Sequence, residues 1–333
     1  MSPVAEDSTT SPPGGIVGRS SANPGSLRAV IDIGTNAVKM LIGEVSGGRV
    51  TPVLEVNEQT RLGKGFYPNH TLRPEAIAAT AVAVGSFARE ARARGAASIR
   101  VIATSAAREA VNARELIDAV TQAAGVPVEV ISGDTEARLA FQGVVNCGKF
   151  GKGPMLIMDV GGGSSEFILG RGDECLCRQS FPLGAVRLME SFPHSDPPGV
   201  EAHAACLQRA KGFIQQQVRP VLDPFAIQAS PEFLIGMGGS AAILARIDQR
   251  LGGFDRDQIE AVRLSREQVA RHAEHLWRVP LAERKKTVGL PADRADIIIM
   301  GVVIYEAAME ACEIDEMRVS TRGLRFAALL EGN

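Results

Sequence analysis

The chain is poor in aromatic residues, with one Trp and two Tyr in 333 positions, and nothing in it resembles a base-stacking platform for single-stranded nucleic acid. A formal net charge of −2 gives no global field to draw in nucleic acid or a membrane surface, so any anion must be held by local groups. Its five cysteines are scattered, and Cys175 and Cys177 sit two apart, the wrong spacing for a zinc knuckle or a redox pair. Reduced thiols in a cytoplasmic protein are the expectation. Residues 1–26 are rich in Ser, Pro, Gly and Thr, with no apolar stretch suited to a signal peptide, and read as a disordered tail. Other apolar runs are too short or too interrupted to span a bilayer, so no membrane partner is expected. There is no zinc-protease motif, no Gly-Xaa-Ser-Xaa-Gly elbow and no Gly-Lys-Ser/Thr of a Walker loop.

What the chain does have is a duplication. Val30-Ile31-Asp32-Ile33-Gly34-Thr35-Asn36 aligns with Ile157-Met158-Asp159-Val160-Gly161-Gly162-Gly163, and the match runs on to Gly43 and Gly170 at a constant offset of 127 (159 − 32 and 170 − 43). Each copy reads as strand, acidic glycine turn, strand. Taken singly, an Asp-Xaa-Gly is an ordinary hairpin turn. Two in register, one ending in three glycines, point instead to paired backbone concavities that bind an anion from both sides.

Length and the 45% hydrophobic content suit two packed domains. The pattern predicts strands at Arg28–Ile33, Ala37–Gly43 and Val50–Val56, a helix from Pro74 to about Arg94, a strand at Ile99–Ala103 and one helix over Ala106–Ala124. A strand at Val128–Ile131 and a helix from Asp134 to about Val144 follow. The second half repeats the opening with strands at Met155–Val160, Glu166–Leu169 and Cys175–Phe181. Helices at Ala185–Ser191 and Val200–Val218 come next, then a strand at Phe233–Ile235 and a helix from about Ala241. Ser265 and Gln268 have capping-box spacing before a helix over Glu267–Arg278. A long helix over Ala292–Glu313, a strand at Arg318–Ser320 and a last helix ending near Leu330 complete the reading. The expected class is α/β, two domains with a cleft between them: residues 27–140 and 141–333, with a hinge near Ala140–Gly153.

Asp32 and Asp159 would repel phosphate, and are suited instead to holding Mg²⁺, usually through water. Glu136 falls in the first turn of a helix capped by Ser132 or Asp134; near the hinge its carboxylate is a candidate base for an attacking water, otherwise a complement to the helix dipole. Ser105 and Arg108 open a helix after a strand, either as cap and solvated charge or as a site for a terminal phosphate. Gly236 to Ser240, including Gly238 and Gly239, is a third glycine-rich turn and the expected third contact in a two-lobed cleft. Glu166 could face Asp159 and the metal or face solvent, and Arg187 is a further phosphate-contact candidate. His272 and His275, three apart on a charged helix, read as surface.

Together these segments resemble the exopolyphosphatase / guanosine pentaphosphate phosphohydrolase (Ppx/GppA) family of the actin-like ATPase superfamily. The resemblance rests on the two Asp-turn segments, Ala103-Thr104-Ser105-Ala106-Ala107-Arg108, Ile131-Ser132-Gly133, Glu136-Ala137-Arg138-Leu139, Leu183 to Leu188, Arg294-Ala295-Asp296 and Gly323-Leu324-Arg325, in the family's order over about residues 28–330. It implies two actin-like (ribonuclease H-like) lobes, the final helix packed back on the first, and Mg²⁺-dependent hydrolysis of the terminal phosphoryl group of inorganic polyphosphate. It also implies that Glu136 is the catalytic carboxylate and Arg108 a substrate-binding arginine. Asp32, Gly34, Thr35, Asn36, Asp159, Gly161, Gly162, Gly163 and Ser164 match the family's metal and phosphate loops.

Thr135 stands where many members have a second glutamate, and Phe326 where an acidic residue is usual. Without the longer members' additional helical domain, short polyphosphates or nucleotide-linked phosphates are the expected substrates. Guanosine pentaphosphate is the alternative substrate; an actin-like small-molecule kinase and a non-catalytic polyphosphate or alarmone binder are further alternatives. A homodimer is a candidate assembly, with no interface nameable from the sequence.

Overall fold

The computed structural model describes residues 26–226 and 230–332. The expected tail lies outside the described residues up to position 25, and Ser26 already opens the first strand. Strands β1 (Ser26–Ile33), β2 (Val38–Ser46), β3 (Arg49–Glu58), β4 (Ser98–Ala103) and β5 (Val128–Val130) form one sheet in the order β3-β2-β1-β4-β5. Strands β6 (Pro154–Val160), β7 (Ser165–Arg171), β8 (Glu174–Phe181), β9 (Leu234–Met237), β10 (Arg263–Ser265) and β11 (Glu316–Val319) form a second, ordered β10-β11-β9-β6-β7-β8. Both run antiparallel through their first three strands and parallel through the next two. With β10 set aside, the two topologies coincide, giving a duplicated actin-like α/β architecture.

The duplication reaches down to irregularities. Register slips between Ile42 and Gly43 against β3, and between Leu169 and Gly170 against β8, the same place in each copy. A Cβ on Gly43 would lie 3.2 Å from Leu329 Cδ1, and one on Gly170 would lie 2.6 Å from Phe141 Cε2, so both glycines admit a helix crossing the bulge.

Central strands buried on both faces read as unbroken apolar runs, and period-2 alternation divides them between two cores. Ala29, Ile31 and Ile33 join one core with Ala83, Val84 and Ala88 of the Pro74–Ala93 helix. Val30 joins Leu324, Ala327 and Ala328 of the Leu324–Glu331 helix on the other face. In the second sheet Met155 and Ile157 pack with Ala137, Phe141 and Val144, which belong to the Gly133–Val145 helix. Each lobe's final helix therefore covers the other lobe's sheet. The two meet so closely that a Cβ on Gly143 would lie 2.6 Å from the Gly323 carbonyl carbon. The division expected at residue 140 falls inside the Gly133–Val145 helix.

Three helices differ from the sequence reading. Ala106–Ala124 is interrupted into Ser105–Glu109 and Ala113–Ala124. The interruption is held by Asn112, whose side chain accepts from Leu72 N–H and donates to Leu72 C=O at 2.9 and 3.0 Å. The helix expected from Ala292 begins at Ile298, after a 3₁₀ turn at Ala292–Arg294. The helix expected to end at Val218 passes through a π-helical turn, Ile214–Val218, and continues to Ala226.

Candidate active site

Both Asp-glycine turns hang from the carboxyl ends of central strands, where an open α/β sheet leaves a crevice. Each is closed by the same hydrogen bond: Gly34 N–H to Ala37 C=O at 3.1 Å, Gly161 N–H to Ser164 C=O at 3.0 Å. Their carbonyls are tied outward. Thr35 and Asn36 C=O accept from Gly63 and Arg61 N–H at 2.7 and 3.0 Å. In the second copy Gly161 C=O accepts from Ala185 N–H at 2.9 Å, and Gly162 C=O from Val186 and Arg187 N–H at 2.8 and 3.1 Å. Gly163 C=O accepts from Arg187 Nε at 2.8 Å. A trans peptide points its N–H opposite to its C=O. Anchoring these carbonyls on the outside therefore turns the N–H groups of Asn36, Ala37, Gly162, Gly163 and Ser164 away from the anchors, toward the interlobe cleft.

The turns face each other across a short gap. A Cβ at Gly162 would lie 3.3 Å from Asn36 N, and one at Gly163 would lie 2.8 Å from Thr35 Oγ1, 2.5 Å from Tyr67 Oη and against Ser105 Oγ. Only glycine leaves this cradle open. Asp32 Oδ1 is buried there without a hydrogen-bond partner, and the buried Thr35 and Tyr67 hydroxyls have no partner beyond each other, a costly state unless a ligand supplies more.

Asp32, Gly34, Thr35, Asn36, Ser105, Glu136, Asp159, Gly161, Gly162, Gly163, Ser164, Glu166, Gly239 and Ser240 all line this one cleft. Gly238 lies directly behind it: its φ is +76° and a Cβ there would come within 2.5 Å of Asp159 Oδ1. Ser240 reaches the cleft, but its hydroxyl is turned against Gly301. Arg108 sits beside the cleft, donating to Glu136 Oε2 at 3.1 Å and to Ile131 C=O at 2.9 Å. Ser105 Oγ donates to Glu109 Oε1 at 2.9 Å. Arg187 donates from Nη2 to both Glu109 oxygens at 2.7 Å and from Nε to Gly163 C=O, so it braces the cradle from behind. His272 pairs with Asp248 at 2.9 Å and His275 is exposed, away from the cleft.

Four carboxyls share this interior. Burial pushes Glu136 up to about 7; the Arg108 guanidinium pulls it down, and Asp32 and Asp159 push it up again. Burial likewise raises Asp32 and Asp159, opposed in both by Lys39. Glu166 stands well above its ordinary range through burial and the charges of Glu136 and Asp159, although Ser180 donates to it at 2.7 Å. Such an excess of buried, mutually repelling carboxyls with an orphaned oxygen suits a bound cation. Among the described residues no group of three or more His, Cys, Asp or Glu side chains converges as a cage.

Lys39 and Arg294 also line the cleft, and sequence reading singled out neither as a site residue. The signal for Lys39 was available: it stands seven residues after Asp32, as Glu166 does after Asp159, and the same offset of 127 links the two (166 − 39). They are cross-strand partners of the two aspartates in the respective hairpins.

Comparisons with known proteins place the chain among phosphatases. The model of the Ppx/GppA phosphatase family matches residues 41–331. "Exopolyphosphatase 2" of Mycobacterium tuberculosis is 32% identical over 308 residues, 88% of this chain and 94% of the relative. "Guanosine-5'-triphosphate,3'-diphosphate pyrophosphatase" of Vibrio parahaemolyticus is 29% identical over 313 residues, 94% of this chain but 60% of the relative. Among solved structures, an exopolyphosphatase from Cytophaga hutchinsonii superposes with a TM-score of 0.82 at 27% identity, covering 92% of this chain and 98% of that one. The Aquifex aeolicus PPX-GPPA enzyme gives 0.74 at 26% identity, covering 92% and 100%.

Proposed function

The chain belongs to the Ppx/GppA phosphatase family, and from that premise we propose that it hydrolyses the terminal phosphoryl group of linear inorganic polyphosphate. One observation carries the reading: the outward-tied carbonyls of both turns leave five backbone N–H groups facing a single cleft, beside a carboxyl whose pKa lies near neutrality. The N–H groups bind and orient the phosphoryl oxygens with no reorganisation at the moment of reaction. Thr35 and Tyr67 hydroxyls, with no partner in the cradle beyond each other, add donors. Arg108 fixes the Glu136 carboxylate and offers the rest of its guanidinium to the phosphoryl group. Glu136, ionised at and above about pH 7, positions a water and takes its proton as the P–O bond forms. The leaving chain departs as the shortened polyphosphate.

Asp32, Asp159 and Glu166 would hold a divalent cation largely through water, Mg²⁺ in our reading; when bound, it would supply charge neutralisation at the phosphoryl oxygens. We read the lobes as residues 27–140 and 141–333, the boundary falling within the Gly133–Val145 helix, which packs on the second sheet. A second reading, removal of the 5′ terminal phosphate of guanosine pentaphosphate, is favoured by the 29% identity to the Vibrio relative over 94% of this chain. A cytoplasmic location accords with the five free cysteines; no helix among the described residues is long and apolar enough to cross a membrane.

The test is phosphate release measured in parallel on polyphosphates of several lengths, guanosine pentaphosphate and ATP, with and without Mg²⁺. Release from polyphosphate that requires the metal is expected. ADP formation only in the presence of an added sugar or acid acceptor would replace hydrolysis with kinase chemistry, and binding without release would leave a non-catalytic receptor.

A further inference from the structure

Between β3 and the Pro74–Ala93 helix, residues 59–73 form a loop that belongs to the first lobe but is held by the second. Its near end is tied to the first glycine turn, where Arg61 and Gly63 N–H donate to Asn36 and Thr35 C=O. Leu62 and Phe66 sink into the first core. Tyr67 packs against the cores of both lobes, and its hydroxyl stands 2.5 Å from where a Cβ on Gly163 would be.

The second lobe grips this tyrosine from one short helix, Ala185–Ser191, whose first N–H groups already tie the carbonyls of Gly161 and Gly162. Arg187 and Glu190 are three residues apart and so share a helix face. The Arg187 guanidinium lies 4.2 Å from the Tyr67 ring centroid and also donates to Gly163 C=O. Glu190 accepts from Gly65 N–H on one carboxylate oxygen and from Tyr67 N–H, at 3.2 Å, on the other. Gly65 has a φ of +72°, and a left-handed residue in such a loop aims nearby N–H groups into one concavity. Main chain, ring and hydroxyl of Tyr67 are thus all fixed. Burial holds its phenol above the ordinary value, against the pull of Arg187, so the hydroxyl stays protonated. Its only partner is the Thr35 hydroxyl. A desolvated hydroxyl held in place with bonding capacity to spare is a preorganised donor.

We propose that Glu190 is a positioning residue for the hydrolytic reaction: gripping Gly65 and Tyr67 from the opposite lobe, it holds the Tyr67 hydroxyl at the cradle, where that hydroxyl donates to a phosphoryl oxygen. The proposal rests on the hydrolase reading and deepens it. The cradle is complete only while the second lobe holds the loop of the first.

The experiment is a double-mutant cycle on Tyr67→Phe and Glu190→Gln. Phosphate release from tripolyphosphate and long-chain polyphosphate is read as kcat and KM separately, with the melting temperature as the check on folding. Tyr67→Phe is expected to lower kcat roughly 10–100-fold, the weight of one preorganised donor to a charged group. Glu190→Gln, which accepts on one oxygen only, should lower kcat by a similar factor with little change in KM. Glu190→Asp, which keeps both acceptors, should recover part of the loss. In the Tyr67→Phe background, Glu190→Gln should lower kcat no further, because the hydroxyl it served is gone. Losses that multiply, or a lower melting temperature with kcat intact, would make Glu190 a mere strut between lobes and overturn the proposal. A Tyr67→Phe enzyme with wild-type kcat overturns it too. Should Glu190→Gln fail to fold, Gly65→Ala disturbs the same bonds from the other side, since alanine is strained at that φ and its methyl meets the Arg73 guanidinium; the same non-additivity with Tyr67→Phe is expected. If wild type releases no phosphate from either substrate, the hydrolase reading fails. The cycle read as calorimetric Kd for tripolyphosphate then decides the positioning role: non-additive weakening upholds it, and additive weakening or none overturns it.

Discussion

The two glycine turns are alike in backbone and opposite in charge. Both end a central strand on an aspartate, both close with the same N–H to C=O bond, and both tie their following carbonyls outward. Across the hairpin, however, Asp32 faces Lys39 and Asp159 faces Glu166. The first turn is internally compensated; the second concentrates negative charge. Duplication thus supplied two copies of an anion cradle, and later divergence at one cross-strand position gave them different tasks. On the proposed reading, the Lys39 side would neutralise phosphate and the Glu166 side would hold the cation that phosphate brings with it.

The sharpest way to break that division is to remove the group that depends on both sides. Glu136→Gln keeps the side chain's shape but abolishes its basicity, and should lower kcat by roughly 10²–10⁴. Polyphosphate binding, followed by calorimetry, should persist; a variant with wild-type turnover would remove Glu136 from the water-activating role. Next comes the cradle itself. Gly163→Ala drives a methyl into Thr35, Ser105 and Tyr67 and pries the turns apart, so a loss near 10²-fold in kcat/KM is expected with the melting temperature largely kept. The comparison is then sharpened by unlike substitutions at matched positions. Lys39→Met should raise KM for polyphosphate about tenfold, whereas Glu166→Gln should weaken Mg²⁺ about 10–100-fold with a smaller change in KM. Equal responses in both assays would erase the asymmetry.

The smallest effect is on stability. Glu136 moves from an ordinary 4.5 to about 7 on folding, and Asp32, Asp159 and Glu166 move upward too. The folded protein therefore binds more protons than the unfolded chain between about pH 4.5 and 7, and metal-free stability should fall as pH rises through that window. For Glu136 the change is of order 3 kcal/mol. Scanning calorimetry across that range should show it, and saturating Mg²⁺ should flatten the slope. A melting temperature that climbs with pH would contradict the buried carboxyl cluster.

Much of this was legible in the sequence because it was written twice. The acidic turns, the bulge glycines at 43 and 170 and the alternation of strand with hairpin all repeat at one offset. The misses have local causes. The interruption at residues 110–112 depends on Asn112 bonding Leu72 from a distant loop, a contact invisible to periodicity. Arg256–Ala261 and Leu281–Arg284 are too short for a helical period to register. Lys39 looked like one charge in an apolar strand until its partner across the hairpin was known, and Tyr67 gave no sign that its hydroxyl ends beneath Gly163. Arg187 and Ser105 carried the right chemistry, but both are engaged by Glu109.

The crossing of the exchanged helices at Gly143 and Gly323 has a mechanical meaning. The helices meet there backbone to backbone, and beside that point Leu139 packs with Leu324 and Ala327 and Arg138 pairs with Glu331, so the crossing is a pinned joint that holds the two halves at one setting. A methyl at position 143 would wedge that joint and push on Gly323, which stands beside Asp159 at the back of the cleft.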